Sequence, residues 1–330
     1  MPFRALRVIE TPTGGFERSI REMDIQDLPP GELLIKVHYS SLNYKDALSA
    51  TGNKGITKNY PHTPGIDAAG VVELSRNEKF AVNDEVIVTG RDLGMNTAGG
   101  FAEYIRVPAS WAVKRPPDFT FFECMAIGTA GFTAASALYK MQLLGQLPAM
   151  GPIVVTGSTG GVGSMAVAML SKAGYEVVAT TGKTNAREYL LHLGATRIES
   201  RNYVVDNSGK ALLRTKWAGA IDCVGGNTLI TLLKACKLNG SVVSTGMVES
   251  PNFQGTVFPF ILNGVNLLGI GSAETPDEMR SAIWDKLVTD WNVKDKLPVI
   301  SKEVSLEELN GNYIDAILES KIMGRVVVKI

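Results

Sequence analysis

Residues that bind metals or form disulfides are scarce in this chain. Its 330 residues include only three cysteines and three histidines. The cysteines, Cys124, Cys223 and Cys236, are far apart and odd in number, so they form no disulfide framework and indicate a reducing compartment. The histidines, His38, His62 and His192, lack the clustering and the cysteine neighbours of a zinc site. We therefore expect no metal site and three thiols that fill the core.

An excess of either charge and a membrane-length apolar run are also missing. Lysine plus arginine and aspartate plus glutamate both number 33, which gives no general attraction to nucleic acid or to an acidic membrane. Residues 3–9 alternate as a strand does and lack the continuous apolar stretch of a secretory signal. No later apolar run approaches the length of a bilayer span. The sequence therefore predicts a soluble cytoplasmic protein whose partners are small molecules.

Residues 1–123 consist of short β-like segments separated by turn residues. The predicted strands are 33–39, 70–74, 85–89 and 101–107. Turn sequences at Pro29-Pro30-Gly31, Thr63-Pro64-Gly65 and Ala98-Gly99-Gly100 are typical of a compact β-barrel-like domain, and Pro116-Pro117-Asp118 closes it.

From Phe121 onward the pattern changes to alternating helices and strands. A helix is predicted over 126–144 and strands over 153–156, 176–180, 219–223, 240–245 and 266–271. This order is typical of a doubly wound parallel sheet, which binds ligands at the carboxyl ends of its strands. Amphipathic helices over 276–290 and 306–318 and a strand over 325–330 follow. Because the earlier strands already complete the sheet, we expect 124–272 to bind the nucleotide and 273–330 to return to the first domain.

The segment 153–170 joins a short apolar strand, a glycine-rich turn and the apolar start of a helix. Its turn has Ser158 where a strict G-x-G-x-x-G sequence has the first glycine. Glycines let the backbone approach a diphosphate closely, and the amides at a helix start direct positive dipole ends toward it. The predicted cofactor-binding residues here are Ser158, Thr159, Gly160, Gly161, Val162 and Gly163.

The end of the second predicted strand indicates which nicotinamide cofactor binds. NAD-binding domains usually have an acidic residue there for the ribose hydroxyls, whereas this chain has Thr180-Thr181-Gly182-Lys183. A hydroxyl from Thr181 with Lys183 and Arg201 can accept a 2′-phosphate that an acid would repel. We therefore predict NADP(H), and we interpret Arg187 as a solvated residue at a helix start.

Five segments together resemble the medium-chain dehydrogenase/reductase superfamily. They are Ser41-Leu42-Asn43-Tyr44-Lys45-Asp46, the stretch from Pro64 to Gly70, Gly100-Phe101-Ala102-Glu103-Tyr104, the stretch from Gly128 to Ala134, and the glycine turn. They occur in the family's order along nearly the whole chain. The resemblance implies an α/β protein with a Rossmann-type doubly wound parallel sheet domain and a GroES-like β-barrel catalytic domain.

Zinc ligands of the alcohol dehydrogenases in this superfamily are missing at the matching positions. Those positions contain Asn43, Ile66 followed by Asp67, and Thr129, which supply neither thiolate nor imidazole. The cysteine-rich lobe that holds a structural zinc is also absent between Val88 and Gly100. The sequence therefore resembles the zinc-free members.

Within those members the chain looks most like the YhdH/YhfP branch. The similar segments are 43–48, 64–67, Leu193-Gly194-Ala195 and 324–330. That branch is described as quinone oxidoreductases and NADPH-dependent acrylyl-CoA reductases. The resemblance implies hydride transfer from NADPH to the β-carbon of an enone, quinone or 2-enoyl thioester, which is electrophilic enough to need no metal.

The same resemblance assigns roles to further residues. Asn43 is expected near the nicotinamide ribose, Thr129 facing the cofactor, and Arg325 approaching it from the tail. Backbone groups of Gly246, Met247, Gly269 and Ile270 are expected to meet the carboxamide.

Tyr44 and Asp67 are the predicted catalytic side chains, because they adjoin or replace the zinc-ligand positions. Tyr44 could donate a hydrogen bond to the developing oxyanion. The alternatives are that Tyr44 stacks on the nicotinamide and that Asp67 anchors Lys45 or a backbone turn.

The predicted strand 266–271 ends the sheet and is apolar along its length, so an uncovered edge would be prone to aggregation. In the superfamily this edge pairs with its copy, which implies a homodimer. Two other functions remain open: a broad enone or aldehyde reductase, and an NADPH-binding sensor without catalysis.

Overall fold

The computed structural model describes all 330 residues and divides them into two units. The first unit comprises Met1–Thr129 and Ile300–Ile330, and the second comprises Ala130–Val299. Segment 273–299, which we expected to leave with the tail, instead belongs to the second unit. There Trp284 packs on Phe132, with 6.3 Å between ring centroids, and this aromatic contact ties the segment to the sheet domain.

The chain forms fifteen strands and ten α-helical segments. The strands are β1 (Pro2–Glu10), β2 (Phe16–Asp24), β3 (Leu33–Leu42), β4 (Asp67–Ser75), β5 (Glu85–Thr89), β6 (Tyr104–Val107), β7 (Ala112–Lys114), β8 (Ile153–Val155), β9 (Val177–Thr181), β10 (Arg197–Ser200), β11 (Trp217–Asp222), β12 (Cys236–Ser244), β13 (Asn266–Gly269), β14 (Ser301–Ser305) and β15 (Arg325–Lys329). The helices are α1 (Tyr44–Ala50), α2 (Phe121–Leu143), α3 (Gly161–Lys172), α4 (Arg187–His192), α5 (Gly226–Lys234), α6 (Phe258–Asn263), α7 (Asp277–Val288), α8 (Leu297–Ile300), α9 (Leu306–Glu308) and α10 (Ile314–Leu318).

The first unit is built on a seven-stranded sheet and a separate hairpin. The sheet has the order β14-β15-β3-β4-β5-β7, with β6 also paired to β3, and β1 pairs with β2. All four predicted barrel strands overlap observed ones, whereas β2 was not predicted. Its sequence, FERSIREMD, lacks the alternating apolar positions that indicate a strand, and none of its residues is buried.

The second unit contains a six-stranded parallel sheet with the order β10-β9-β8-β11-β12-β13. Strand order reverses between β8 and β11, and the carboxyl ends of these two strands form the edge where such sheets bind ligands. The Rossmann-type sheet is therefore as predicted, with β10 as an additional strand. The sequence of β10, RIES, is too polar to indicate a buried strand.

Helix α2 is the one helix long and apolar enough, by composition, to cross a membrane, and 78% of its apolar window is buried inside the protein. This degree of burial is typical of a helix in the core of a protein. Gly128 interrupts it with φ 48° and ψ −158°, a backbone conformation that essentially only glycine adopts.

None of the three cysteines forms a disulfide bond. Cys124 and Cys236 are buried as expected, while Cys223 is half-buried at the carboxyl end of β11. Burial raises the pKa of Cys223 and of Cys236 to about 12, so neither thiol ionises readily.

Candidate functional site

A buried polar cluster in the first unit brings together several of the predicted site residues. We call it the Asp67 cluster, and its members are Ser41, Asn43, Asp46, Asp67, Thr129 and Arg325. They come from the ends of β3, β4 and β15, the start of α1, and the interruption of α2. All except Thr129 are buried.

The Asp67 carboxylate accepts hydrogen bonds from three residues. Ser41 Oγ donates over 2.7 Å and Asn43 Nδ2 over 2.8 Å. Thr129 donates twice, from Oγ1 over 2.6 Å and from its backbone nitrogen over 3.0 Å. A carboxylate has about four lone-pair sites, so these donors saturate it. Asp67 is therefore placed as an anchor, and it holds Thr129 rather than Lys45.

Arg325 supplies the positive charge of the cluster. Its guanidinium lies 3.6 Å from the Asp67 carboxylate and donates to Ser41 Oγ over 2.7 Å and to Asn43 Oδ1 over 2.9 Å. It also donates to backbone carbonyls at Leu42 and Ala126. Burial lowers the pKa of Arg325, and the charge of Asp67 opposes that shift. Hydrogen-bond acceptors thus surround the guanidinium group.

Gly128 makes this packing possible. A Cβ at this position would lie 2.6 Å from both Arg325 Nη2 and Asp67 Oδ2. The interruption at Gly128 also frees the Thr129 N–H from the helix, so that it donates to Asp67 in the way an N-terminal amide donates to a capping carboxylate.

Asp46 is a member that sequence reasoning missed. Its carboxylate accepts from the backbone nitrogens of Asn43, Gly65 and Ile66 and from Asn43 Nδ2. Complete burial, together with the Asp67 charge, raises the pKa of Asp46 to about 7. Its position three residues after Asn43 is the capping-box spacing, which is the signal that could have found it.

Tyr44 is not a member of the Asp67 cluster, and it is half exposed. It is the first residue of α1, and 50% of its surface is accessible. Its hydroxyl has no hydrogen-bond partner within the protein and is open to a ligand.

The glycine turn of the second unit has the geometry of an anion-binding helix start. Strand β8 ends at Val155, and Gly160 caps α3 in an extended conformation. Gly157 has φ 58°, and a Cβ on Gly163 would overlap the Gly157 carbonyl oxygen. Amides at the start of α3 are therefore directed out of the turn, at the carboxyl edge of the sheet.

Ser158 does not present its side chain to a ligand. Its Oγ is fully buried and lies 2.7 Å from the Val155 carbonyl and 3.0 Å from the Thr180 carbonyl. Ser164 Oγ donates to the Ser158 carbonyl, and the Tyr189 hydroxyl donates to Ser164. The Ser158 hydroxyl therefore links the turn to β8 and β9. Of this residue, only the backbone is available to bind the cofactor.

Asp222, at the end of β11, is a further residue that sequence reasoning missed. It accepts from Thr156 Oγ1 over 2.5 Å and from the backbone nitrogens of Val224 and Gly225. Burial raises its pKa. These bonds hold the ends of β8 and β11 together where the strand order reverses.

Lys183 and Arg201 converge after β9. A Cβ on Gly182 would lie 2.5 Å from Arg201 Nε, so the guanidinium covers this turn. Burial lowers the pKa of Lys183, and the neighbouring Arg201 charge lowers it further. Thr181 Oγ1 accepts from the Lys183 backbone. Two cations next to a hydroxyl, with no acid after the strand, give this turn a charge complementary to that of a dianionic phosphate.

The remaining predicted residues also lie at the carboxyl edge of this sheet. Gly246 and Met247 follow β12, whose last residue is Ser244, and Gly269 ends β13. A Cβ on Gly246 would collide with the backbone of Cys223, while Met247 is 63% exposed. The tertiary structure therefore gathers the turn, Lys183, Arg201, Gly246 and Gly269 at one edge.

Two sequence families match the chain. "Alcohol dehydrogenase GroES-like domain" matches residues 29–117, and "Zinc-binding dehydrogenase" matches residues 161–288. A GroES-like domain and a Rossmann-type sheet domain on one chain define the fold of the medium-chain dehydrogenases.

Close relatives match over almost their whole length. "Putative quinone oxidoreductase YhfP" of Bacillus subtilis is 44% identical over 94% of each chain, and the structure of yhfP with NAD bound has a TM-score of 0.96, with 100% of each chain covered. "Acrylyl-CoA reductase AcuI" of Ruegeria pomeroyi is 39% identical over 96% of each chain. The yhdH oxidoreductase of Salmonella enterica in complex with NADP is 39% identical, with a TM-score of 0.95 and 100% of each chain covered. The chain belongs to the medium-chain dehydrogenase/reductase superfamily, in the quinone oxidoreductase-like group of YhfP, YhdH and AcuI.

A catalytic zinc, which the family description implies, does not fit the residues present. The Asp67 carboxylate is saturated by donors, and the Arg325 guanidinium beside it already supplies the positive charge. No group of three or more His, Cys, Asp or Glu side chains is arranged to hold a metal ion. The donor set is thus that of an internal ion pair, not of a metal centre.

Proposed function

We propose that this protein is a zinc-independent, NADPH-dependent reductase that transfers hydride to the β-carbon of an activated double bond. Its substrates are 2-enoyl-CoA thioesters such as acrylyl-CoA, or quinones. The observation that carries the proposal is the buried Arg325–Asp67 pair, to which the residues at two of the zinc-ligand positions, Asn43 and Thr129, are hydrogen-bonded. Without a metal to polarise it, the acceptor must be activated by its own conjugation.

NADP(H) binds, in this proposal, along the carboxyl edge of the second unit's sheet. The amides at the start of α3, from Gly161 to Gly163, hold the diphosphate. Thr181, Lys183 and Arg201 hold the 2′-phosphate. Backbone groups of Gly246, Met247, Gly269 and Ile270 hold the carboxamide. When bound, the cofactor supplies a hydride.

Tyr44 is the residue proposed to touch the substrate. As the hydride adds to the β-carbon, the electron pair of the double bond moves to the carbonyl oxygen, which needs a donor. Tyr44 is exposed and has an unengaged hydroxyl, and it donates to this oxygen. The resulting enolate then takes up a proton at its α-carbon, which completes the reduction. Asp67 and Asn43 act as positioning residues, because their polar atoms are bound within the cluster.

Transfer of a labelled hydride tests the reaction. NADPH deuterated at the transferable position should place the label on the β-carbon of acryloyl-CoA, as read by mass spectrometry and NMR. Parallel rates with a simple quinone and an alkenal define the substrate class. If NADPH binds but no acceptor oxidises it, the chain is a cofactor-binding sensor and the proposal is wrong.

Tyr44→Phe tests the donor. It should lower kcat by about 100-fold, since removing one hydrogen-bond donor to a developing oxyanion costs about that much, with little change in KM for NADPH. Tyr39→Phe is a suitable control, because the Tyr39 hydroxyl donates to Glu303 at a surface position. An unchanged kcat in Tyr44→Phe would remove Tyr44 as donor.

The protein is also proposed to form a homodimer through β13. This strand lies at the edge of the six-stranded sheet, and Leu267 on it is 36% exposed. Exposed apolar residues on α6, namely Phe258, Ile261 and Leu262, extend the surface. Sedimentation that gives only monomer at micromolar concentration would contradict the dimer. A cytoplasmic location also remains a proposal, supported by three cysteines that form no disulfide bond.

A further inference from the structure

The chain segment that follows β13 is held by side chains from two helices. We call residues 269–273 the carboxamide segment, because the proposed function assigns its first two residues to the nicotinamide. Arg280, on α7, donates from Nη2 to the carbonyl of Ser272 over 3.2 Å and to that of Ala273 over 3.0 Å. Thr133, on α2, donates to Ser272 Oγ over 2.9 Å. Lys140, about two turns further along α2, donates to the Gly269 carbonyl over 2.9 Å.

Arg280 is placed unusually for an arginine. Only 3% of its surface is exposed, and its guanidinium carbon lies 4.8 Å from the centroid of the Phe132 ring. Arginines are almost never fully buried unless their charge is matched. Here one terminal nitrogen, Nη2, donates to two successive carbonyls while the guanidinium carbon lies over an aromatic ring, within cation–π distance.

Binding these carbonyls also orients the amides that follow them. In a planar trans peptide, the C=O of one residue and the N–H of the next point in opposite directions. Because Lys140 holds the Gly269 carbonyl, the Ile270 N–H points away from α2. In the same way, Arg280 holds the Ser272 and Ala273 carbonyls and so fixes the two peptide planes to which these carbonyls belong.

We propose that Arg280 is a positioning residue for the nicotinamide end of the cofactor. It holds the carboxamide segment so that the segment's backbone groups are preorganised for the carboxamide, while Thr133 supports the same segment from α2. The proposal rests on the NADPH-binding function proposed above. It predicts that loss of Arg280 affects the nicotinamide end selectively, because the glycine turn, Lys183 and Arg201 make none of these contacts.

The test compares two probes by titration calorimetry, NADPH and 2′-phospho-ADP-ribose, which lacks the nicotinamide. Arg280→Met keeps the apolar stem over Phe132 and removes the donors. It should weaken NADPH binding by about tenfold, the worth of about one hydrogen bond between the segment's backbone and the carboxamide, and leave the binding of 2′-phospho-ADP-ribose within twofold. Thr133→Val should shift NADPH binding in the same direction by about threefold.

Lys286→Met is the matched control, because Lys286 lies on the same helix with its charge at the surface, paired with Asp290. It should bind both probes as the wild type does. If Arg280→Met weakens both probes equally, or neither, Arg280 is only structural and the inference is wrong. If Arg280→Met does not fold, Thr133→Val decides between these outcomes. A wild type that binds neither probe would instead contradict the proposed function itself.

Discussion

The packing of Gly128 against the Asp67 cluster makes Gly128→Ala the sharpest perturbation of the first unit. The backbone there has φ 48° and ψ −158°, and a side chain in such a conformation costs about 1–3 kcal/mol. The added Cβ would also lie 2.6 Å from Arg325 Nη2 and 2.6 Å from Asp67 Oδ2. Overpacking of this kind costs about 1–3 kcal/mol more. We expect the free energy of unfolding to fall by about 2–6 kcal/mol in total.

Gly14→Ala separates the two contributions. Gly14 also has a positive φ, 82°, but nothing lies within 4 Å of its Cβ position. Its substitution should cost about 1–2 kcal/mol from backbone conformation alone.

Urea unfolding followed by circular dichroism measures both variants, with the midpoint compared at an unchanged slope. The expected order of midpoints is wild type, then Gly14→Ala, then Gly128→Ala. If the two variants lose the same free energy to within about 0.5 kcal/mol, the claim that Gly128 is required by the ion pair is refuted, because that difference is the usual error of such comparisons.

Two further predictions concern the cofactor phosphate and the buried carboxyl. Lys183→Met should lower kcat/KM for NADPH by about tenfold and leave kcat/KM for NADH unchanged, since it removes a charged contact to the 2′-phosphate alone. Arg187→Met is the control, because Arg187 is exposed. Equal losses with both cofactors would contradict the assignment. The pKa of Asp46 is raised from 3.8 to about 7, so its contribution to stability is present below pH 4 and is lost as the pH rises through 7. At about 1.4 kcal/mol per pKa unit, this loss is at most about 4 kcal/mol. Asp46→Asn should therefore flatten the profile of unfolding free energy between pH 4 and 8, and a wild-type profile that rises across this window relative to the variant would show the opposite sign.

Patterns confined to a few neighbouring residues were predictable from the sequence. The strand, turn and helix over 153–170 follow from glycines next to an apolar strand, because the backbone freedom and the hydrogen-bonding needs of such a turn are local. The same holds for the end of β9, where the absence of an acidic residue can be read directly from Thr180-Thr181-Gly182-Lys183. These are the features from which the cofactor was predicted.

Side-chain direction in the glycine turn was not predictable. Ser158 could equally have faced a ligand, and its inward orientation depends on carbonyls of Val155 and Thr180 on two different strands. Asp222 was missed for the same reason, since its partner Thr156 follows a different strand, β8.

The chain sequence by itself determined the class of fold, the nucleotide-binding turn and the preference for a phosphorylated cofactor, because each depends on short-range periodicity and composition. Only the tertiary structure decided what Asp67 does. Its partners Ser41, Thr129 and Arg325 come from distant parts of the chain, and only folding brings Arg325 from the last strand against it. Whether a buried carboxylate is a reactive acid or a saturated anchor depends on how many donors surround it, and that number exists only once β3, β4, β15 and the interrupted helix are packed together.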